Sequence, residues 1–143
     1  LVVASEDAFF SDPVGHTLAA AATEVLIHPW VMGLRRAKEM LYTGEKVDAQ
    51  EALRIGMVNR VVPRADLEAA TPALASRIAQ APPFGLHLIK RSLNRSADAQ
   101  GLRTALSAHF DTHQLSHLSE EFRQVRDRGL AQAITRGGQG DKA

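Results

Sequence analysis

The stretch Asp48-Ala-Gln-Glu-Ala-Leu-Arg-Ile-Gly-Met-Val-Asn-Arg-Val-Val-Pro63 encodes a helix, a turn and a strand in direct succession. Asp48 can accept a hydrogen bond from a free backbone N–H at the start of the helix, and Glu51 stands where a capping box places its acid. Gly56 closes this short helix. The segment Met57–Val62 is rich in valine and alternates in part, which predicts a strand that the final proline ends.

The residues before this stretch also alternate between strand and helix. Leu1–Ala4 is typical of a buried strand, and Ala8–Phe10 of a second, short extended piece. A run of strong helix formers begins at Ala19, and we expect Pro29 to stop that helix.

The next predicted helix, Gly33–Tyr42, is amphipathic and precedes Gly44, which suits a left-handed cap. Its apolar face consists of Leu34, Ala37, Met40 and Leu41.

From about Ala65 onward the sequence predicts helices only. The four helices are one opened by Asp66 with a kink or delayed start at Pro72, then Phe84–Leu93, Ala97–His117, and one capped by Ser119. Their apolar stripes need a partner surface, and the strands are too few for a closed sheet. We therefore divide this α/β chain into residues 1–64, mixed strand and helix, and residues 65–143, helical.

Composition excludes several classes of function. The chain has 143 residues, 17 Lys plus Arg, 16 Asp plus Glu, and a net charge of +1, which argues against nucleic-acid and membrane-surface partners. The sequence contains no Cys, which removes disulfides and thiol chemistry and favours a cytoplasmic origin. Its apolar runs are too short to span a bilayer.

Three histidines, His109, His113 and His117, share one predicted helix face at spacings of four residues. Such a pair can bind zinc with a third ligand, but no HExxH glutamate accompanies them. A polar helix face or an oligomer contact is the alternative that we favour, so no metal site is predicted.

Asp12 is the main acidic candidate, because it follows two phenylalanines and precedes the rigid bend of Pro13. A carboxyl group in such a corner can transfer protons, and it can equally cap a local turn. Glu6 and Asp7 are typical of a solvated turn.

The basic clusters are Arg35-Arg36-Ala37-Lys38 and Lys90-Arg91, both typical of solvated helix faces. The sequence has no glycine-rich phosphate loop and no serine nucleophile elbow. The residues alone therefore predict an α/β protein of unassigned function.

Taken in order, five segments resemble the enoyl-CoA hydratase/isomerase (crotonase) family. These are Leu1–Pro13, Ala37–Gly44, Asp48–Pro63 with its A-x-E-A-x-x-x-G pattern, Pro83–Asn94 and, more weakly, Gly129–Arg136. The resemblance implies a partial crotonase-like (ClpP/crotonase) ββα-spiral core, followed by a helical trimerisation region. It covers only the second half of the family domain, and the start at Leu1, inside an apolar run, agrees with a truncated C-terminal half.

The resemblance also implies chemistry on acyl-CoA thioesters, with acyl-CoA as substrate and no resident cofactor. In the family two backbone N–H groups hold the thioester oxygen and carboxylates move protons. Both N–H groups and the first carboxylate fall before Leu1. The second carboxylate falls at Val14, which cannot carry a proton. Asp12 is the nearby acid that can substitute, and Arg136 matches a cation that approaches the CoA phosphates.

Two hypotheses follow for the function of the chain. The first is a hydratase/isomerase-family protein, inactive alone, that forms a trimer or hexamer and works with a complementary N-terminal half. The second is a catalytically silent oligomerisation or scaffold module.

Overall fold

Short strands and helices alternate up to residue 62, and helices follow. The computed structural model describes residues 1–21 and 26–129. The elements are β1 Val3–Ser5, β2 Phe9–Phe10, α1 Val14–Thr17, α2 His28–Met32, α3 Leu34–Thr43, β3 Val47–Asp48, α4 Ala49–Arg54, β4 Arg60–Val62, α5 Leu67–Ala79, α6 Pro83–Ala99, α7 Leu102–His117 and α8 Glu120–Arg128.

The chain forms two compact units, one of residues 1–8 and 48–105, the other containing residues 9–21, 26–47 and 106–129. The division at residue 64, between a part of mixed strand and helix and a helical part, is drawn from the sequence pattern and stays a prediction. In the part of the chain that the structure describes, no helix is both long and apolar enough to cross a membrane.

The first unit is built on a parallel pair of strands, β1 and β4, with Ala4 opposite Val61. Asn59 extends this ladder, because its side-chain oxygen accepts from the Val2 N–H at 2.8 Å while its own N–H donates to the Val2 carbonyl at 2.9 Å. The buried apolar residues of the unit are small: Ala4, Ala49, Ala52 and Val58.

Helix α4 begins as the sequence predicts, since the Asp48 carboxylate accepts from the Glu51 N–H at 2.8 Å. The strand after it begins later than predicted, at Arg60 instead of Met57. The reason is that the N–H groups of Met57 and Val58 both donate back to the Ala52 carbonyl at the end of α4.

The second unit packs α3 against α1 and α2. Ala37 and Met40 are buried, as the predicted apolar face requires, while Leu34 is 59% exposed. Gly44 caps α3 in the left-handed region, at φ 68°, and its N–H donates to the Met40 carbonyl at 2.9 Å. The predicted left-handed cap is confirmed.

Two predictions about the helix expected between Ala19 and Pro29 are wrong. Pro29 does not stop a helix, because it lies in the first turn of α2, where the missing N–H of proline costs no hydrogen bond. The run from Ala19 is not helical as far as Ala21, and residues 22–25 lie outside the described residues.

The predicted start of the helix Ala97–His117 is wrong, since α6 continues to Ala99 and α7 begins at Leu102, whereas its predicted end at His117 is confirmed. Gly101, at φ 104°, occupies a conformation that other residues rarely adopt and separates the two helices.

Two further expectations concern the other C-terminal helices. Pro72 does not delay α5, which starts at Leu67. The predicted cap of α8 is confirmed, because the Ser119 hydroxyl accepts from the Phe122 N–H at 3.1 Å.

Gly44→Ala is expected to lower the free energy of unfolding by about 1–2 kcal/mol through its positive φ alone. The new Cβ would also lie 3.1 Å from Cδ2 of His16, which adds to the loss. Urea denaturation measures it, with Gly85→Ala as the control.

Gly85 lies inside α6 with nothing within 4 Å of a Cβ, so alanine there is expected to raise stability by up to about 1 kcal/mol. A Gly44→Ala protein as stable as the wild type would contradict the capping role of Gly44.

Candidate active-site corner

The corner between β2 and α1 contains the acidic candidate, Asp12. Pro13 sets the bend, and α1 begins immediately after it at Val14. One carboxylate oxygen of Asp12, Oδ1, accepts from the Val14 N–H at 3.3 Å. The side chain therefore serves the open start of α1, which is the local capping role that the sequence allowed.

The second carboxylate oxygen of Asp12 faces a histidine. Oδ2 lies 2.9 Å from Nε2 of His28, the first residue of α2. The two side chains are only 11% and 17% exposed, so water competes weakly for this hydrogen bond. When the ring is protonated the contact is an ion pair; when it is neutral, Nε2–H donates to the carboxylate.

The far nitrogen of the same ring, Nδ1 of His28, has no hydrogen-bond partner among residues 1–21 and 26–129. An imidazole held by one nitrogen with the other available is the arrangement in which histidine accepts or donates a proton. The corner thus contains a carboxylate that positions a group able to transfer protons.

Val14, where the resemblance places a family carboxylate, is 8% exposed and its side chain belongs to the buried core. No acidic group occupies this position. Asp12 lies in the same corner, but both of its oxygens are engaged, one of them by the backbone of Val14 itself. Its catalytic role stays a prediction.

A second histidine helps to hold α1 in place. Nε2 of His16 lies 2.6 Å from the Tyr42 carbonyl, at the end of α3. The Thr17 hydroxyl donates to the Pro13 carbonyl at 3.0 Å, which closes the single turn of α1. The His16 contact ties α1 to α3 without using the Asp12 carboxylate.

Two of the three histidines on this face of α7, His113 and His117, make contacts within the protein. Nδ1 of His113 lies 2.9 Å from the Ala21 carbonyl, and its ring meets that of His117 edge-on. The His117 ring stacks on Phe122 at 4.5 Å. Across the described residues, no group of three His, Cys, Asp or Glu side chains is arranged to hold a metal ion.

Arg136, the candidate for the CoA phosphates, lies outside the described residues. The basic clusters are on helix surfaces, where Arg36 pairs with Glu39 while Lys90 and Arg91 are exposed.

The predicted solvated turn at Glu6 and Asp7 is confirmed, since both residues are exposed. A hydrogen bond from the Ser5 side chain is the main cause that lowers the pKa of the Asp7 carboxyl, and Arg64, at 3.7 Å, contributes less.

Sequence reasoning missed His28 as a candidate. The contact joins positions 16 residues apart across an irregular segment, so no helical or strand period reports it. The available signal was weak: a histidine directly before Pro29 and Trp30, downstream of an acid with an apolar flank.

Comparison with known proteins gives consistent matches. A sequence profile of the family described as "Enoyl-CoA hydratase/isomerase" matches residues 1–132. The putative enoyl-CoA hydratase EchA13 of Mycobacterium tuberculosis is 44% identical over 117 residues, which are 82% of this chain and 37% of that protein.

Two solved structures share the fold. A probable enoyl-CoA hydratase from Mycobacterium thermoresistibile is 48% identical, with a TM-score of 0.77 over 82% of this chain and 47% of that one. An enoyl-CoA hydratase/isomerase from Xanthobacter autotrophicus Py2 is 34% identical, with a TM-score of 0.81 over 99% and 54%. The predicted partial crotonase-like fold is confirmed, and the chain spans about half the length of these structures.

Asp12→Ala is expected to lower the free energy of unfolding by about 1–3 kcal/mol, because the Val14 N–H and the His28 ring both lose their acceptor. Urea denaturation measures the change. The control is Asp127→Ala, an exposed carboxylate beside Arg126, whose removal should change stability by less than about 0.5 kcal/mol. Equal effects of the two substitutions would show that the Asp12 contacts contribute nothing.

Proposed function

The chain belongs to the enoyl-CoA hydratase/isomerase family, and on that premise we propose that it forms part of an enzyme acting on acyl-CoA thioesters in fatty-acid metabolism. The observation that carries the proposal is the family match across residues 1–132. The acyl-CoA is the substrate, and no resident cofactor is proposed. A cytoplasmic location, supported by the Cys-free composition, belongs to the same proposal.

These 143 residues are proposed to be inactive alone. By the resemblance, the two N–H groups that hold the thioester oxygen and the first carboxylate belong to the half of the family domain that does not match these residues. Position 14 carries valine. Without preorganised donors for the developing enolate, the largest stabilising contribution to the transition state is missing. A complementary N-terminal half is therefore the proposed partner.

Within such an assembly the chain contributes the corner at Asp12 and, by the resemblance, a cation at Arg136. An arginine near the CoA phosphates would bind them through charge-assisted hydrogen bonds. Asp12 is retained as a site residue, acting through its hydrogen bond to His28.

Crotonyl-CoA tests the proposal directly, through the loss of the absorbance of its conjugated thioester. The 143-residue chain alone is expected to give only the background rate. A fusion should hydrate crotonyl-CoA when it joins the N-terminal portion of the Mycobacterium thermoresistibile protein, up to the matched region, to this chain. The unaltered Mycobacterium thermoresistibile protein is the matched control.

Turnover by the chain alone would contradict its proposed dependence on a second half. A folded but inactive fusion, beside an active control protein, would contradict the proposal that the chain belongs to a working enzyme of this kind.

A specific observation also favours an assembly role. Among the described residues of the two units, the buried apolar ones are few and none is larger than methionine, whereas the C-terminal helices expose large apolar side chains. On α6, Ile89 and Leu93 are 58% and 65% exposed, one helical turn apart; on α7, Phe110 and Leu115 are 62% and 66% exposed. We propose that these surfaces are covered by other copies of the chain in a homo-oligomer, a trimer or hexamer. The alternative function, a catalytically silent scaffold module, would form the same oligomer but catalyse no reaction.

Sedimentation of the chain is expected to give three or six times the 15.5 kDa chain mass. Ile89→Glu with Leu93→Glu should shift the distribution to the monomer, because a charge buried at an apolar interface is left unpaired. Lys90→Glu, on the same helix, is the control and should leave the mass unchanged. A monomeric wild-type chain would contradict self-assembly through these helices.

A further inference from the structure

The Asp12–His28 pair differs from the contacts that His16 and His113 make in the same unit. His16 and His113 face backbone carbonyls, those of Tyr42 and Ala21. His28 faces a carboxylate at 2.9 Å, and both side chains are largely removed from water. A carbonyl only orients a ring, whereas a carboxylate also stabilises the positive charge that the ring acquires when it takes up a proton.

The position of the carboxylate is itself fixed. Oδ1 of Asp12 accepts from the Val14 N–H, so Oδ2 is held toward Nε2 of His28. A neutral ring then carries its proton on Nε2 and presents a lone pair at Nδ1. In the described part of the chain, Nδ1 of His28 has no hydrogen-bond partner. This is the order of a positioning acid, an imidazole and an open base position.

We propose that His28 is the proton-transferring residue of this corner and that Asp12 is its positioning residue. The proposal rests on the proposed function, and it deepens it by assigning the group that supplies what Val14 cannot. The hydrophobic side chain at position 14 is buried, while two residues earlier the chain carries the acid that holds the imidazole.

In the hydration of an enoyl thioester the step balances as follows. Nδ1 of His28 takes a proton from water as the water oxygen bonds to Cβ, and the electron pair of the Cα=Cβ bond moves through the thioester to its oxygen. The imidazolium, stabilised by the Asp12 carboxylate, then returns the proton to Cα as the enolate collapses. One water has been added, and the ring is neutral again.

The competing role for the pair is a purely structural clasp between the corner and the start of α2. A clasp predicts that substitutions change stability while the turnover of the folded protein is kept. A proton-transferring residue predicts a loss of kcat with a smaller change of KM.

The tautomer is tested first, on the full 143-residue chain, by long-range proton–nitrogen correlation spectra of the histidine rings above pH 8. We expect His28 to carry its proton on Nε2, and Asp12→Asn to shift both ring nitrogen signals. A proton on Nδ1 would overturn the proposal, because the open nitrogen would then have no lone pair. This measurement needs no His28 variant to fold.

Activity is tested in the fusion protein, with crotonyl-CoA as the probe. His28→Gln is expected to lower kcat by about 100-fold or more, the range typical of a lost general acid–base group. Asp12→Asn should lower kcat by at least about 10-fold with a smaller change of KM, because the imidazolium that forms during turnover loses its carboxylate. His16→Gln, the matched control, should retain kcat within about twofold.

The outcomes separate the two proposals. A folded His28→Gln fusion with wild-type kcat would overturn the assignment of His28 while leaving the proposed function intact. An unmutated fusion that is folded and inactive beside an active control protein would overturn both. Loss of kcat in His28→Gln and in Asp12→Asn, each with a smaller change of KM and with His16→Gln active, would support the assignment.

Discussion

The carboxylate of Asp12 is the group on which the candidate site depends, because it joins the start of α1 to the first residue of α2. Helix α1 has a single turn, too short to persist without outside contacts. Helix α2 has five residues and a proline in its first turn. Asp12 accepts from the backbone of the first and contacts the histidine that begins the second.

By the resemblance, Val14 stands at the position of a family carboxylate, and the structure buries this valine. A buried valine contributes to packing of α1 against α3, and a carboxylate there would be costly to bury unless paired. The acid two residues earlier is paired, with both oxygens satisfied. The chain therefore places a charge in this corner only where a hydrogen-bond donor meets each oxygen.

Sequence reasoning succeeded where a local rule decides the structure. The caps at Asp48 and Ser119, the left-handed Gly44 and the buried face at Ala37 and Met40 all depend on residues within one turn of each other. The partial crotonase-like fold was predicted correctly from the family resemblance, and not from these local rules.

Sequence reasoning failed where one signal has two meanings or where the contact is long-range. Pro29 was expected to end a helix, but proline is equally suited to beginning one. The apolar pattern predicts one continuous helix through Gly101, but this residue has a positive φ and separates two helices. The contact of Asp12 with His28 has no periodicity at all, since it is made by the path of the chain between them.

A double-mutant cycle between Asp12 and His28 tests the central claim most directly. The free energies of unfolding of the wild type, Asp12→Ala, His28→Ala and the double variant, measured in urea at neutral pH, give the coupling between the two side chains. A coupling of about 1 kcal/mol or more is predicted for a charge-assisted hydrogen bond so little exposed to water. Additive effects, with a coupling within about 0.3 kcal/mol of zero, would contradict the account.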